Sequence, residues 1–296
     1  MAPMAPRLSY CTNVHPVETL EDLRRVITQD AAEVRRALGV EKLGLGLHLP
    51  ARLCKEVEAS EEFMSISRWL SVNGLRCDTL NAFPYGGFHN ERVKEEVYRP
   101  AWFDGRRLEY TDNAATILSC ILPVGDAQPE TACLSTVAGA SKADIAGDEG
   151  RVRQIAWNLG LIAGRLRQIE DYVGVRVVLA LEPEPFTMLE SVGETVSFFR
   201  KALWKEGRKA VVEAGGYPRD VAEHIVRRHI GICWDCCHAA VEFEDGAAAL
   251  QSLKREGIAV GKIQVSSAVE LRDTRAVDRF ASFEEPHYLH QTFIRQ

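Results

Sequence analysis

Short apolar runs rich in β-branched residues recur along the chain, at residues 8–12, 43–49, 76–83, 131–137, 175–181, 230–234, 260–266 and 288–294. Each has the length of a strand and is largely apolar on both faces, the pattern of a strand covered on both sides in a parallel sheet. Between the runs the apolar spacing becomes helical. Leu20, Leu23, Val26, Ile27, Val34 and Leu38 share one face, and Phe63, Ile66, Trp69 and Leu70 another. Val152, Ile155, Leu159, Ile162, Leu166 and Ile169 make a long third stripe, and Val196, Phe199 and Leu203 a fourth. Thr19 with Asp22 and Ser191 with Glu194 have capping-box spacing, while Gly39 and Gly74 stand where helices stop.

Alternation of this kind predicts parallel strands joined by right-handed crossovers. Eight such strands close on themselves, so the expected fold class is α/β, a TIM (β/α)8 barrel, with residues 1–296 as a single domain. The last run abuts the end of the sequence. The barrel is therefore expected to be shortened at its C-terminus and to lack its last helix, unless the strand count is off by one. Two stretches interrupt the rhythm. Residues 84–112, rich in glycine, proline and aromatics, follow a strand end and are expected to form a loop over the site; residues 207–228 are a second insertion.

Composition narrows the function. The chain has 296 residues, 46% of them hydrophobic, which supports a large core. Its formal net charge of −6 argues against a sequence-independent grip on nucleic acid or on an anionic membrane. Residues 1–6 lack the charged and apolar regions of a signal peptide, and no apolar stretch approaches the length of a membrane span. The eight cysteines have no disulfide-framework spacing and are read as reduced, which places the protein in the cytoplasm.

The candidate chemistry sits at strand ends. Glu182 closes one apolar run and Asp235 another, with His238 three residues on and Gln264 at the end of the next strand. Two carboxylates and a neutral nitrogen ligand suit a hard or borderline divalent cation. The plainer reading is that each carboxylate caps a helix or joins a salt bridge. Asn13, His15, His48, Asn81 and His89 also follow strand ends, and together with nearby aromatics predict a polar substrate pocket. Glu184, fixed between two prolines, either joins that pocket or caps the next helix. Residues 135–142 either contact a substrate phosphate or hydroxyl, or are an ordinary turn. Cys233-x-x-Cys236 has redox-motif spacing but begins inside a strand, and the pair Cys236–Cys237 has no second pair to complete a structural zinc site.

Five stretches in order, 8–16 (LSYCTNVHP), 81–86 (NAFPYG), 181–185 (LEPEP), 235–242 (DCCHAAVE) and 261–264 (GKIQ), resemble the EboE family of metabolite traffic proteins, within the xylose-isomerase-like TIM-barrel superfamily. The resemblance covers nearly the whole chain. It implies a divalent metal (manganese, zinc, cobalt, iron or magnesium) held by Glu182 and Asp235. Gln264 stands where a metal-binding histidine is usual and would ligate more weakly, through its amide oxygen, and His238 matches the substrate-side histidine. It also implies a longer chain carrying a further histidine and glutamate, so the last-strand glutamate has no counterpart here.

Three readings follow. In the first, the protein is an EboE-like metabolite traffic protein whose metal site handles a small metabolite for secondary-metabolite transport or processing. In the second, it is a metal-dependent sugar (phosphate) isomerase or epimerase with Glu182 and His238 as catalytic groups. In the third, it is a non-catalytic binding subunit. An apurinic endonuclease of the same superfamily would need more ligands and a basic face. The expected partner is a small molecule, and an apolar flank left without its helix would suit a second copy or a pathway protein.

Overall fold

The computed structural model describes residues 7–60, 62–87, 94–125, 128–271, 278 and 292–294. Seven of the expected strands are present: β1 (Ser9–Cys11), β2 (Leu43–His48), β3 (Leu75–Asn81), β4 (Thr131–Val137), β5 (Arg176–Glu182), β6 (Ile230–Asp235) and β7 (Ala259–Gln264). Each pairs in parallel with the next, in chain order. The expected eighth run, 288–294, falls largely outside the described residues.

The fold is α/β, a curled parallel sheet wrapped by helices. Strand β2 shows how the sequence does this. Its Leu43, Leu45 and Leu47 belong to the main core cluster, while Gly44 and Gly46 alternate with them. A Cβ on Gly44 would lie 2.5 Å from Ser9 Oγ, so strand β1 approaches closer than any side chain allows. The curl brings distant strands together across the interior. Gly261 of β7 faces Val178 of β5 and Cys133 of β4, and Lys262 of β7 reaches Asn81 of β3. Gly261 is the extra residue where the β6–β7 register shifts.

The helices, in order, are α1 (Leu20–Arg25), which runs through π-helical Val26–Ala31 into α2 (Ala32–Ala37), then α3 (Ala51–Ser60), α4 (Phe63–Val72), α5 (Gly105–Ile121), α6 (Lys142–Ile145) and α7 (Glu149–Val173). After β5 come α8 (Val192–Phe198), a π-helical turn Phe199–Gly207, α9 (Arg208–Glu213) and α10 (Arg219–His229). Between β6 and β7 lie α11 (Cys236–Val241) and α12 (Gly246–Glu256). Both expected capping boxes form, at Thr19–Asp22 and Ser191–Glu194. The long stripe of α7 is buried from Ile155 to Ile169. Leu38 departs from its expected face: it ends its helix and is more than half exposed. Among the described residues no helix is long and apolar enough to cross a membrane.

The two expected insertions resolve differently. Residues 207–228 are mostly helical, because Ala210 and Val211 and then Ala222, Ile225 and Val226 repeat an apolar face. In residues 84–112, the helix starts earlier than expected, at Gly105 with Asp104 as its cap. What precedes it is fastened down. The buried Arg107 donates to the carbonyls of Pro100 and Ala82 at 2.8 and 3.0 Å and rests against the rings of both Tyr85 and Tyr110. Trp102 donates through its ring nitrogen to Thr136. This segment is thereby tied to the C-terminal ends of β3 and β4.

Helix α7 meets the Phe199–Gly207 turn where Gly160 touches Gly207. A Cβ on Gly160 would lie 2.3 Å from the Gly207 carbonyl oxygen. Backbone cannot yield there, so Gly160→Ala is expected to cost about 1–3 kcal/mol in urea unfolding.

A charged cluster ties α7 to α10 beside β5 and β6. Glu170 accepts from Arg228 Nε at 2.9 Å and faces His229 Nε2 at 3.2 Å. The Arg228 hydrogen bonds, opposed by burial, hold its carboxyl below the ordinary value of 4.5. Because the folded value is the lower one, this contribution is present above the ordinary value and fades as pH falls through the folded one. Glu170→Gln should lower stability by about 1–3 kcal/mol at neutral pH. The gap from wild type should narrow as urea midpoints are taken at successively more acid pH.

Candidate functional site

Parallel pairing in chain order sends every strand's C-terminal end to one mouth, and the side chains singled out at strand ends meet there. Glu182, the last residue of β5, is 8% exposed. Asp235 ends β6 and also caps α11. Its Oδ1 accepts from the backbone of Cys237 at 2.8 Å and from the Ser266 hydroxyl at 2.5 Å. Its Oδ2 is turned the other way, toward Gln264 at the end of β7. The helix-cap reading of Asp235 holds through Oδ1, which leaves Oδ2 directed at its neighbours across the strand ends. His238 lies within α11 rather than on a loop, because Asp235 starts the helix.

Gln264 joins the two carboxylates. Its Nε2 donates to Glu182 Oε1 at 2.6 Å and to Asp235 Oδ2 at 2.8 Å. The sequence reading had this glutamine ligating through its oxygen; the structure presents the nitrogen instead. The reason is electrostatic: an amide oxygen at that point would face two carboxylates with no donor between them.

His238 Nδ1 lies 3.2 Å from the Pro183 carbonyl and 3.7 Å from Glu182 Oε1. Burial pulls its pKa down, but hydrogen bonding to the Cys237 side chain and the fields of Glu184, Glu182 and Asp235 outweigh this and push it up to about 10. At neutral pH the ring is a cation. Burial raises Glu182, with His238 and Lys262 opposing and Asp235 reinforcing. Asp235 is also penalised by burial, yet His238 and the bonds from Cys237 and Ser266 bring it below its ordinary value. The environment thus separates the two carboxyls, raising one and lowering the other.

A second network lies beside the first. Lys262 Nζ donates to Asn81 Oδ1 at 2.5 Å and to Ser135 Oγ at 3.1 Å, and Ser135 also donates to Asn81. Asn81 Nδ2 in turn donates to Asn13 Oδ1 at 2.7 Å. Asn13 and Asn81 therefore share one polar patch. In the sequence Lys262 stands out only as part of the stretch 261–264. The available signal was a charged residue two positions before Gln264, on the same face of the strand.

The remaining candidates separate. His15 is occupied by the Tyr10 hydroxyl at 2.9 Å and by Asp30 at 3.6 Å, which orders the loop after β1. His48 is buried, with Nε2 3.4 Å from the Pro84 carbonyl. Glu184 accepts from Tyr98 at 2.9 Å and so connects the 84–112 segment to the end of β5. His89 lies outside the described residues.

The donor set fits a divalent cation. Two carboxylate oxygens converge on a single point, now marked by the Gln264 nitrogen, and a 180° turn of that amide would offer an oxygen instead. Asp235, Cys237 and His238 also bring ligand atoms within 4.8 Å of one another.

The chain matches no family model and no curated protein. It is similar in fold to a xylose isomerase-like protein from Rhodospirillum rubrum, at TM-score 0.52 and 13% identity, covering 98% of this chain and 92% of that one. It is also similar to the probable 3-DHS dehydratase AsbF from Bacillus anthracis, involved in petrobactin synthesis. There the TM-score is 0.49 and the identity 15%, over 84% of this chain and 70% of that one. For the E. coli 3-keto-D-glucoside 4-epimerase YcjR the TM-score is 0.44 and the identity 14%, over 90% and 86%. The first likeness supports the xylose-isomerase-like type of fold; at this identity it does not extend to activity.

Removing the shared donor tests the site's internal balance. Gln264→Leu leaves the buried Glu182 Oε1 without its partner and should cost about 1–3 kcal/mol. Glu182→Gln in that background should recover part of the loss, so that a double-mutant cycle in urea shows non-additivity.

Proposed function

We propose that the protein is an EboE-like metabolite-handling protein that holds a divalent cation between Glu182 and Asp235 and acts there on a small hydroxy-carbonyl metabolite. The observation that carries this reading is the convergence of Glu182 Oε1 and Asp235 Oδ2 on one point, with His238 beside it. The EboE-like part is supported by where the five resembling stretches lie: all of them run through or out of the C-terminal strand ends.

A bound cation would supply polarisation of a carbonyl and its neighbouring hydroxyl. The chain's own groups do the rest. Glu182, raised by burial, is suited to take a proton and return it. His238, a buried cation held by carboxylates, can donate a hydrogen bond to a substrate oxygen. Lys262, Asn81, Ser135 and Asn13 offer a patch for hydroxyl groups. The Tyr98–Glu184 contact and the buried Trp102 hold the 84–112 segment near this mouth, where it limits water.

One observation favours a second reading, a non-catalytic binding subunit: Gln264 already satisfies both carboxylates without a cation. Equilibrium dialysis against manganese and zinc separates the two. The first reading predicts one tightly held ion, loss of binding in Asp235→Asn and Glu182→Gln, and tighter binding in Gln264→His, since imidazole is the better ligand. Exchange of carbon-bound protons of hydroxyketones in deuterated water should then depend on the ion and on Glu182. Absence of any bound ion would overturn the reading.

A further inference from the structure

The thiols of this chain differ sharply in their surroundings. Cys133 and Cys233 are packed with Ala180 in a small interior cluster. Burial pushes Cys133 up to about 12 and Cys233 well above its ordinary value, so neither is a ready ligand. Cys54 and Cys77 are buried in the main core. Cys237 is different. It is only half-buried, at the mouth, and its sulfur lies beside the His238 ring.

The same turn gathers three chemically distinct ligands. Asp235 caps α11, which swings residues 237 and 238 back over it, and Ser266 from beyond β7 accepts from the Cys237 amide at 2.8 Å while donating to Asp235. The Cys237 sulfur, an Asp235 oxygen and a His238 nitrogen end within 4.8 Å of one another. His238 is in turn 3.7 Å from Glu182 on the neighbouring strand, so this group is continuous with the carboxylate pair.

We infer that Cys237 is a thiolate ligand of the cation site, so that Asp235, Cys237 and His238 make it select a borderline ion, zinc or cobalt(II), over magnesium or manganese. This inference rests on the strand-end site taking a cation, and adds which class of cation. Carboxylates alone suit the harder ions, whereas a sulfur and an imidazole shift preference to the softer ones. On binding, the Cys237 thiol and the His238 imidazolium each release a proton to solvent, and the sulfur–metal and nitrogen–metal bonds form.

Titration of the whole chain with cobalt(II), followed by absorption, tests this. The wild type should show a near-ultraviolet thiolate-to-cobalt charge-transfer band together with visible ligand-field bands. Cys237→Ser should lose the charge-transfer band and bind on the order of tenfold more weakly. Cys236→Ser, which removes the adjacent thiol, should keep both. A wild-type complex with ligand-field bands but no charge-transfer band, or a band that survives in Cys237→Ser, would overturn the thiolate and leave the carboxylate site standing. No binding of cobalt or zinc at all would overturn both.

Discussion

Two carboxylates brought to the ends of neighbouring parallel strands set the problem that this molecule solves. Strands in a sheet lie about 5 Å apart, and like charges that close, sheltered from water, repel by several kcal/mol unless something stands between them. Here the something is the Gln264 amide, donating to Glu182 and Asp235 from the next strand along. Around it, the His238 ring and the Lys262 ammonium supply positive charge. The site's electrostatics, its fit to a cation and its separation of carboxyl pKa values all descend from that one juxtaposition.

The fold makes the juxtaposition unavoidable. Chain-ordered parallel pairing delivers β5, β6 and β7 side by side, with Asp235 level with Gln264 and the end of β5 about two residues lower. Small residues on the interior side, Gly44, Gly231 and Gly261 among them, let the sheet curl until β7 faces β3 and β4. The curl is what carries Lys262 to Asn81 and Ser135, residues more than a hundred positions away in the chain. Residues 98–107 are then pinned at the same end through Arg107, Trp102 and Tyr98.

Much of this was legible in the sequence because its signals are local. Short apolar runs set between stretches of helical patterning located seven strands, and the capping boxes at Thr19 and Ser191 formed as their spacing implied. Glu182, Asp235, His238 and Gln264 stood out because each ends or follows a strand, and they do meet. What was not legible depends on three-dimensional complementarity. The direction of the Gln264 amide is decided by two residues on other strands. Lys262 acquires meaning only once the sheet curls. The helical character of residues 207–228 was obscured by the Gly215–Gly216 break between α9 and α10. His15 looked like Asn13 in sequence, yet its ring turns to Tyr10 and Asp30 while Asn13 turns to Asn81.

On the proposed reading, a cation sits at the point now marked by the Gln264 nitrogen. Anomalous diffraction from crystals soaked separately in zinc and in manganese tests it most directly. The account predicts an anomalous peak between Glu182 Oε1 and Asp235 Oδ2, with the Gln264 amide turned to offer its oxygen or moved aside. Crystals that retain the present Gln264 bridge and show no peak there, at saturating metal, would contradict it.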